Sequence, residues 1–547
     1  MRRLAWYMLV GVLLAAPAPA AVITVVNMDG PGEGLNDPTA VAAVGGNAGT
    51  TLGAQRLIAF QHAADIWAAQ LSSAVAIDIE ATFDPLSCNA TLATLGAAGP
   101  TTVHRDFTNA PVASRYYPQA LANSLAGFDL DPEADVFAFF NSSLGTTCAF
   151  PNVWYYGLDA SPPGNEIDFV SVVLHEIGHG LGFLSLVSLG SGGKFLGFDD
   201  SYMVHLEDHS TGVLFPDMSN AERRAAHIDT GDLHWVGASV GTAAATLVSG
   251  RDPLSGHVEM YAPNPIEPGS SVSHFSTSLS PDEALEPFYT GPVHDPGLAL
   301  DVMFDIGWNC GNGALDGSEG CDDANLANGD GCSSECKVEV CHACAGEPSV
   351  CVAQTGSSCD DGQACTFSDM CQAGVCVADA TPLPGCALGV QAGKGLLLLK
   401  DKANDDRDKV IWKWLKGGQT TLGDFANPPS GTDYLLCVYD QTGGVDTVLM
   451  SLEIPGGAGW SAKNGGFKYT DKSAAADGVK VVLLKAGAAG KAKIIVKGKG
   501  AALPMTDLSA LDLPLLVQLS NGATCWQSSF QSNVLKSSSE LFKAKAE

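Results

Sequence analysis

The sequence predicts an α+β domain at its amino end, a run of small disulfide-rich modules in the middle and an all-β sandwich at its carboxyl end. Three observations carry that prediction. Over residues 22–183 apolar residues switch between strand-like alternation and helical three- and four-residue spacing. Twelve of the 16 cysteines lie between Cys310 and Cys386, in polar sequence with almost no apolar run. Beyond them come short apolar segments separated by glycine-rich turns. A chain of 547 residues, 46% hydrophobic and 16% charged, is too long for one ordinary domain and too apolar to be disordered throughout.

The elements follow in order. Arg2 and Arg3, an apolar run over residues 4–16 and then Ala18-Pro19-Ala20 have the layout of an export signal over residues 1–20. The mature chain is expected to begin near Ala21 and to be secreted, extracellular or at the cell surface, where cysteines pair. No later apolar run reaches about 18 residues, so no membrane span is expected. The first domain is assigned to residues 21–309. A strand over 22–26 precedes a Gly-, Pro- and Asp-rich loop ending near Thr51. Leu57, Phe60, Ala64, Trp67 and Leu71 then mark a helix, and residues 75–83 and 135–140 read as strands. Cys88 and Cys148 are expected to pair across this region. Residues 167–183 read as a helix whose Gly178, Gly180 and Gly182 weaken it, so its surroundings must hold it. Ser219 with Glu222 three residues later forms a capping box that opens another helix.

Residues 310–338 and 339–388 are assigned as two modules with too little apolar sequence to fold without covalent staples. Residues 389–547 form the sandwich, with strands near 396–399, 434–439, 479–484, 493–496 and 515–519, and with Cys437 and Cys525 available to staple it. Charge marks the same boundary. Residues 1–390 carry 10 Lys and Arg against 45 Asp and Glu, and the remainder 19 against 15. A formal net charge of -31 argues against a nucleic-acid partner.

The chemistry centres on His175-Glu176-Ile177-Gly178-His179. Histidines four apart on a helix leave one face a turn apart, so both imidazoles can reach a single Zn²⁺. Glu176 is rotated about 100° from His175, near enough to hold a zinc-bound water without ligating the metal, as a general base would. Val172, Val173, Leu174 and Leu181 argue against a helix with two merely solvent-facing histidines. Two protein ligands leave a catalytic zinc one short. The third must come from elsewhere in the chain.

The run His175-Glu176-Ile177-Gly178-His179-Gly180-Leu181-Gly182-Phe183 resembles the metzincin signature, except that Ser185 stands where metzincins carry their third His. Ser273-His274-Phe275, then Glu283-Ala284-Leu285-Glu286-Pro287 and Asp305-Ile306-Gly307-Trp308, resemble the leishmanolysin-type arrangement, in which a long insertion separates the helix from the third His. Phe275 replaces the family's usual Trp, and Leu285 stands where its methionine belongs. The resemblance implies a zincin/metzincin-like catalytic domain, metal ligands His175, His179 and His274, and Leu285 packed beneath the imidazoles. His205, His209 and His294 compete for the third position, while His227, His234 and His257 read as surface or packing residues.

The implied activity is that of a zinc-dependent metalloendopeptidase acting on a protein or peptide substrate, with Glu176 as general base. An extended substrate would lie against an edge strand, for which residues 136–140 are the candidate. The rival reading, from another class, is a non-catalytic cell-surface adhesion or binding protein on a zincin scaffold; the presence of Glu176 speaks against it. Cys310, Cys321, Cys332 and Cys336 with their intervening glycines resemble the Myxococcus-type cysteine-rich repeat. Asp322, Asp323, Asn325, Asn328 and Asp330 there offer hard oxygen donors suited to Ca²⁺, against a bland alternative of side-chain-capped turns. Cys341-His342-Ala343-Cys344 imitates zinc-finger spacing, although export favours disulfides. The carboxyl domain is a candidate for substrate or surface attachment.

Overall fold

A computed structural model describes residues 19–441, 444–505 and 508–547; apart from its last two residues, the expected export signal lies outside them. The chain divides into two compact units, Met1–Val352 and Ala353–Glu547. The division falls inside the stretch assigned from sequence to a second disulfide-rich module.

In the first unit, β1 (Ile23–Asn27), α1 (Leu52–Ala68), β2 (Ile77–Asp84), β3 (Gly96–Pro100), α2 (Gln119–Ala126), β4 (Val136–Asn141) and α3 (Phe169–Leu181) follow in order. Their sheet runs β1-β2-β4-β3, parallel except for β3, which is antiparallel to β4. Along β2 the side chains alternate, with Ile77, Ile79, Ala81 and Phe83 buried. Phe60 of α1, Phe140 of β4 and Phe169 of α3 meet edge to face at 5.1–5.4 Å, the packing their ring quadrupoles favour.

Every residue of α3 except His175 is buried, and this is what its glycines are for. A side chain at Gly180 would stand 2.3 Å from Val136 of β4, and one at Gly178 would stand 3.1 Å from Leu285 and 3.4 Å from Trp67. The residues that lower helix propensity thus let the helix lie directly on the sheet and on α1. Trp67 Nε1 also donates to the Leu174 carbonyl at 2.9 Å. The helix stops at Gly182, whose φ of +131° suits glycine and whose missing side chain leaves room for Ile306. Trp308 is fully buried and donates to the Leu181 carbonyl at 3.0 Å, fastening the end of this domain to the same helix.

Residues 136–140, expected at the sheet edge, are interior: β4 pairs with β2 on one side and β3 on the other. The edge belongs to β3, whose sequence Gly-Ala-Ala-Gly-Pro has no bulky alternating side chains to announce a strand. Between α3 and His274 lies a second sheet of four short strands, ordered Val213–Leu214, Leu206–Asp208, Leu233–Trp235, Val258–Glu259. The helix Asn220–Ala226 begins with both bonds of the Ser219 and Glu222 capping box in place.

Cys88 pairs with Cys148. The cysteine-rich repeat closes as Cys310–Cys336 and Cys321–Cys332, and Cys344 pairs with Cys351. In the second unit Cys359 pairs with Cys376. Cys437 and Cys525 do not pair with each other; they reach back to Cys365 and Cys386. The later part of the stretch assigned to the second module is therefore bonded to the sheets that follow it. Cys365 and Cys437 sit buried together with Tyr439 in a small apolar cluster of their own, which is what draws the loop onto that strand. Closing loops of 72 and 139 residues limits the unfolded chain by roughly 4–5 kcal/mol each in a chain-entropy treatment.

The rest of the second unit is all β. A five-stranded sheet and an eight-stranded sheet, antiparallel apart from one short parallel pair, share one core that includes Leu397, Trp412 and Val496 from the larger sheet and Leu436, Leu452 and Trp526 from the smaller. No helix among the described residues is long and apolar enough to cross a membrane.

Candidate metal centre

Asp168 starts the central helix by accepting from Ser171 N–H at 2.9 Å and from the Ser171 hydroxyl at 2.6 Å. One turn apart on that helix, His175 and His179 project into a cleft of about 620 Å³, and His274 enters it from the loop at residues 268–274. Their Nε2 atoms form a triangle: 3.1 Å between His175 and His179, 3.1 Å between His175 and His274, and 3.2 Å between His179 and His274.

The other nitrogen of each ring settles the protonation. Nδ1 of His175 meets the Ala284 carbonyl, that of His179 the Phe183 carbonyl and that of His274 the Ser270 carbonyl, each at 2.8 Å. A carbonyl can only accept, so each Nδ1 carries the proton and each neutral ring turns an Nε2 lone pair toward the same point. Burial keeps the rings neutral: it lowers His175 to about 3 and His179 to about 4, and holds His274 well below the ordinary imidazole range. Three lone pairs meeting with no proton to share form a poor arrangement by themselves and a good one around a cation. Ligands 2.0–2.1 Å from a tetrahedral ion would stand about 3.3–3.4 Å apart, close to the spacing here. The residues present fit zinc.

The loop at residues 283–286 braces two of the three histidine positions at once. Ala284 receives His175, and the next carbonyl, that of Leu285, accepts from Phe275 N–H at 2.9 Å, fixing the residue after His274. The Leu285 side chain is fully buried against the helix at Gly178, between the two helical ligands. Ser185 has other work: its hydroxyl accepts from Val187 N–H at 3.2 Å, and its own N–H donates to Ser273 Oγ at 3.1 Å.

The competing histidines lie elsewhere. His294 donates to Asp168 at 2.7 Å and so braces the start of the helix. His205 stacks on Trp235 at 5.0 Å, and His227 packs against Phe215. His209, His234 and His257, read from sequence as a turn residue and two packing or surface residues, instead come together in a cluster on the second sheet.

Glu176 is buried in the wall of the same cleft. Burial pushes its carboxyl up to about 8, opposed by a hydrogen bond from the Ala98 backbone. Gly96 of the edge strand stands directly against it, and a methyl there would lie 2.9 Å from Glu176 Oε1. Gly96, Ala97 and Ala98 form one wall, while residues 268–274 and 286–291 form the other. Sequence reasoning missed this wall and the three carbonyls behind the ligands, because backbone groups leave no mark in residue identity. Tyr289, whose hydroxyl accepts from Asp168 N–H at 3.1 Å, serves the helix start.

In the cysteine-rich repeat Asp322 accepts from the N–H groups of Gly311, Asn312, Gly313 and Ala324, and Asn328 accepts from Ser334 N–H. The Ala324 bond closes a local turn, and the others tie residues 311–313 and 334 across the loop to these side chains. Cys344 is committed to a disulfide, and no free cysteine occurs among the described residues.

A family model described as SPBPB7E8-like matches residues 54–191, from α1 through the two helical histidines but short of His274. No curated protein and no solved structure matches the chain.

Proposed function

We propose that this chain is a secreted, zinc-dependent metalloendopeptidase with a leishmanolysin-like, metzincin-type catalytic domain. The observation that carries this reading is the convergence of three unprotonated Nε2 atoms beside a buried carboxyl in a cleft bordered by a free strand edge. Disulfides in both units support an oxidising compartment.

When bound, zinc supplies Lewis acidity that polarises a carbonyl and lowers the pKa of water toward 7. The chain supplies the rest. His175, His179 and His274 hold the ion, and their carbonyl partners fix ring orientation and keep each Nε2 basic. Glu176 takes the proton of the attacking water and passes it to the leaving amine; its burial raises proton affinity, and a cation beside it would bring that affinity back toward neutrality. The edge strand β3 offers backbone groups to an extended peptide, while Gly96 leaves room for Glu176 and the Ala98 backbone hydrogen-bonds to it.

The test is zinc content together with casein hydrolysis for the wild type and Glu176→Gln. The variant should keep its zinc and lose about 10²–10⁴-fold in kcat. Equal turnover by the two proteins would end the assignment.

A further inference from the structure

The small sheet between the central helix and His274 gathers a second set of donors. Its register sets Glu207 opposite His234, and His234 opposite Glu259, so these side chains share one face. His209, two residues beyond Glu207, stacks on His234 with ring centroids 4.2 Å apart. His257, two residues before Glu259, approaches His209 edge-on at 5.6 Å. One ring nitrogen from each of the three histidines lies within 4.8 Å of the others.

A carboxylate completes the group. Glu207 Oε1 lies 2.8 Å from His209 Nδ1 and 3.3 Å from His257 Nδ1, and Asp252 stands 3.8 Å from His209 Nε2. The decisive residue is His234, only 3% exposed. Its Nε2 faces the Gly231 carbonyl at 3.3 Å, which places the proton there. Its Nδ1 is buried with no hydrogen-bond partner among the described residues. A buried lone pair beside two further imidazoles and a carboxylate lacks an electron-pair acceptor.

We propose that His209, His234, His257 and Glu207 form a second divalent-metal site, selective for a borderline transition ion of the zinc class. Three imidazoles and one carboxylate are a full tetrahedral donor set for such an ion, whereas Ca²⁺ and Mg²⁺ call for oxygen throughout. The site is open on one side, with the His209 and His257 side chains 29% and 26% exposed, so an ion has a way in. With its protein ligands complete it has no vacant position for a substrate, and it is structural. What it braces is visible in the backbone. Residues 257–261 run from this cluster to the segment bearing His274: Met260 bridges Phe275, and Tyr261 N–H donates to the His274 carbonyl at 2.9 Å. An ion here would tie that segment to the strands Leu206–Asp208 and Leu233–Trp235. This inference stands apart from the peptidase reading, since it draws on none of its ligands.

The experiment measures zinc per chain on the full-length protein after equilibration with Zn²⁺ and removal of excess. Wild type should hold two equivalents, the His175→Ala/His179→Ala double variant one, and that variant with His257→Ala added none. Because the double variant alters a buried helix, His257→Ala is also measured alone: it should fall from two equivalents to one, and should lower the thermal midpoint with Zn²⁺ present while leaving the metal-free midpoint unchanged. An unchanged zinc content on His257→Ala would overturn the proposal, as would a wild type that binds one equivalent and loses it entirely in the double variant. A wild type that binds two equivalents but shows no peptidase activity would sink the functional reading and leave this one standing.

Discussion

The two histidine clusters use the same side chains in opposite ways. Around the cleft, every Nδ1 is bonded to a backbone carbonyl and every Nε2 turns inward, so that the three Nε2 atoms stand 3.1–3.2 Å from one another. On the small sheet, two Nδ1 atoms share a single carboxylate oxygen, His209 at 2.8 Å and His257 at 3.3 Å. The first cluster is buried beside a 620 Å³ cleft with Glu176 in its wall, and the second is half open with a carboxylate among its donors. The difference lies in donor count: under the two proposals the cleft offers three imidazoles and leaves a fourth position free, whereas on the small sheet Glu207 supplies the fourth donor.

The sharpest way to break that comparison is to remove a ligand from the first cluster. His274→Ala should lower zinc affinity at the cleft by more than about 100-fold, exceeding the 10–100-fold typical of losing an outer partner. Ser185→Ala should change it by less than about threefold, because the Ser185 hydroxyl serves Val187. Chelator competition on His257→Ala backgrounds reads the cleft alone. Similar losses for both substitutions would mean that the three-imidazole assignment is mistaken.

A smaller effect is expected at Gly96. An added methyl would meet Glu176 at 2.9 Å from both Cγ and Oε1, so the carboxyl must shift. Displacements of about 1 Å can cost about 10²-fold in rate, and Gly96→Ala should lose about 10–100-fold in kcat with zinc content unchanged. Wild-type kcat in this variant would show that the edge strand does not set the position of Glu176.

Which of these features could be read in the sequence depends on how far apart the chain carries their parts. His175, Glu176 and His179 sit on one helix, where spacing alone fixes direction, and they were legible at once. His274 was reached through a family resemblance, since a gap of nearly a hundred residues carries no geometric information. The cluster of His209, His234 and His257 was invisible because it depends on strand register, and in sequence these residues differ in no way from surface histidines. The edge strand was misplaced because β4 is rich in phenylalanine and β3 has only Gly, Ala and Pro. Of the disulfides only Cys88–Cys148 was expected; the four cysteines of the first module already allow three connectivities, and the later ones many more.

The smallest expected effect tests how the floor of the cleft is built. Leu285 meets the central helix at Gly178, where an added methyl would stand only 3.1 Å from its side chain, and its backbone carbonyl separately holds Phe275. The positioning of His274 therefore runs through the main chain, and the side chain contributes packing. Leu285→Met keeps volume and apolarity, so it should cost less than about 1.5 kcal/mol in stability and leave zinc affinity unchanged. Leu285→Ala opens a cavity under the helix and should cost about 2–5 kcal/mol. If Met at this position changed zinc affinity while stability held, the side chain would be steering the ligands directly. Equilibrium unfolding and metal competition on the same two variants separate these outcomes.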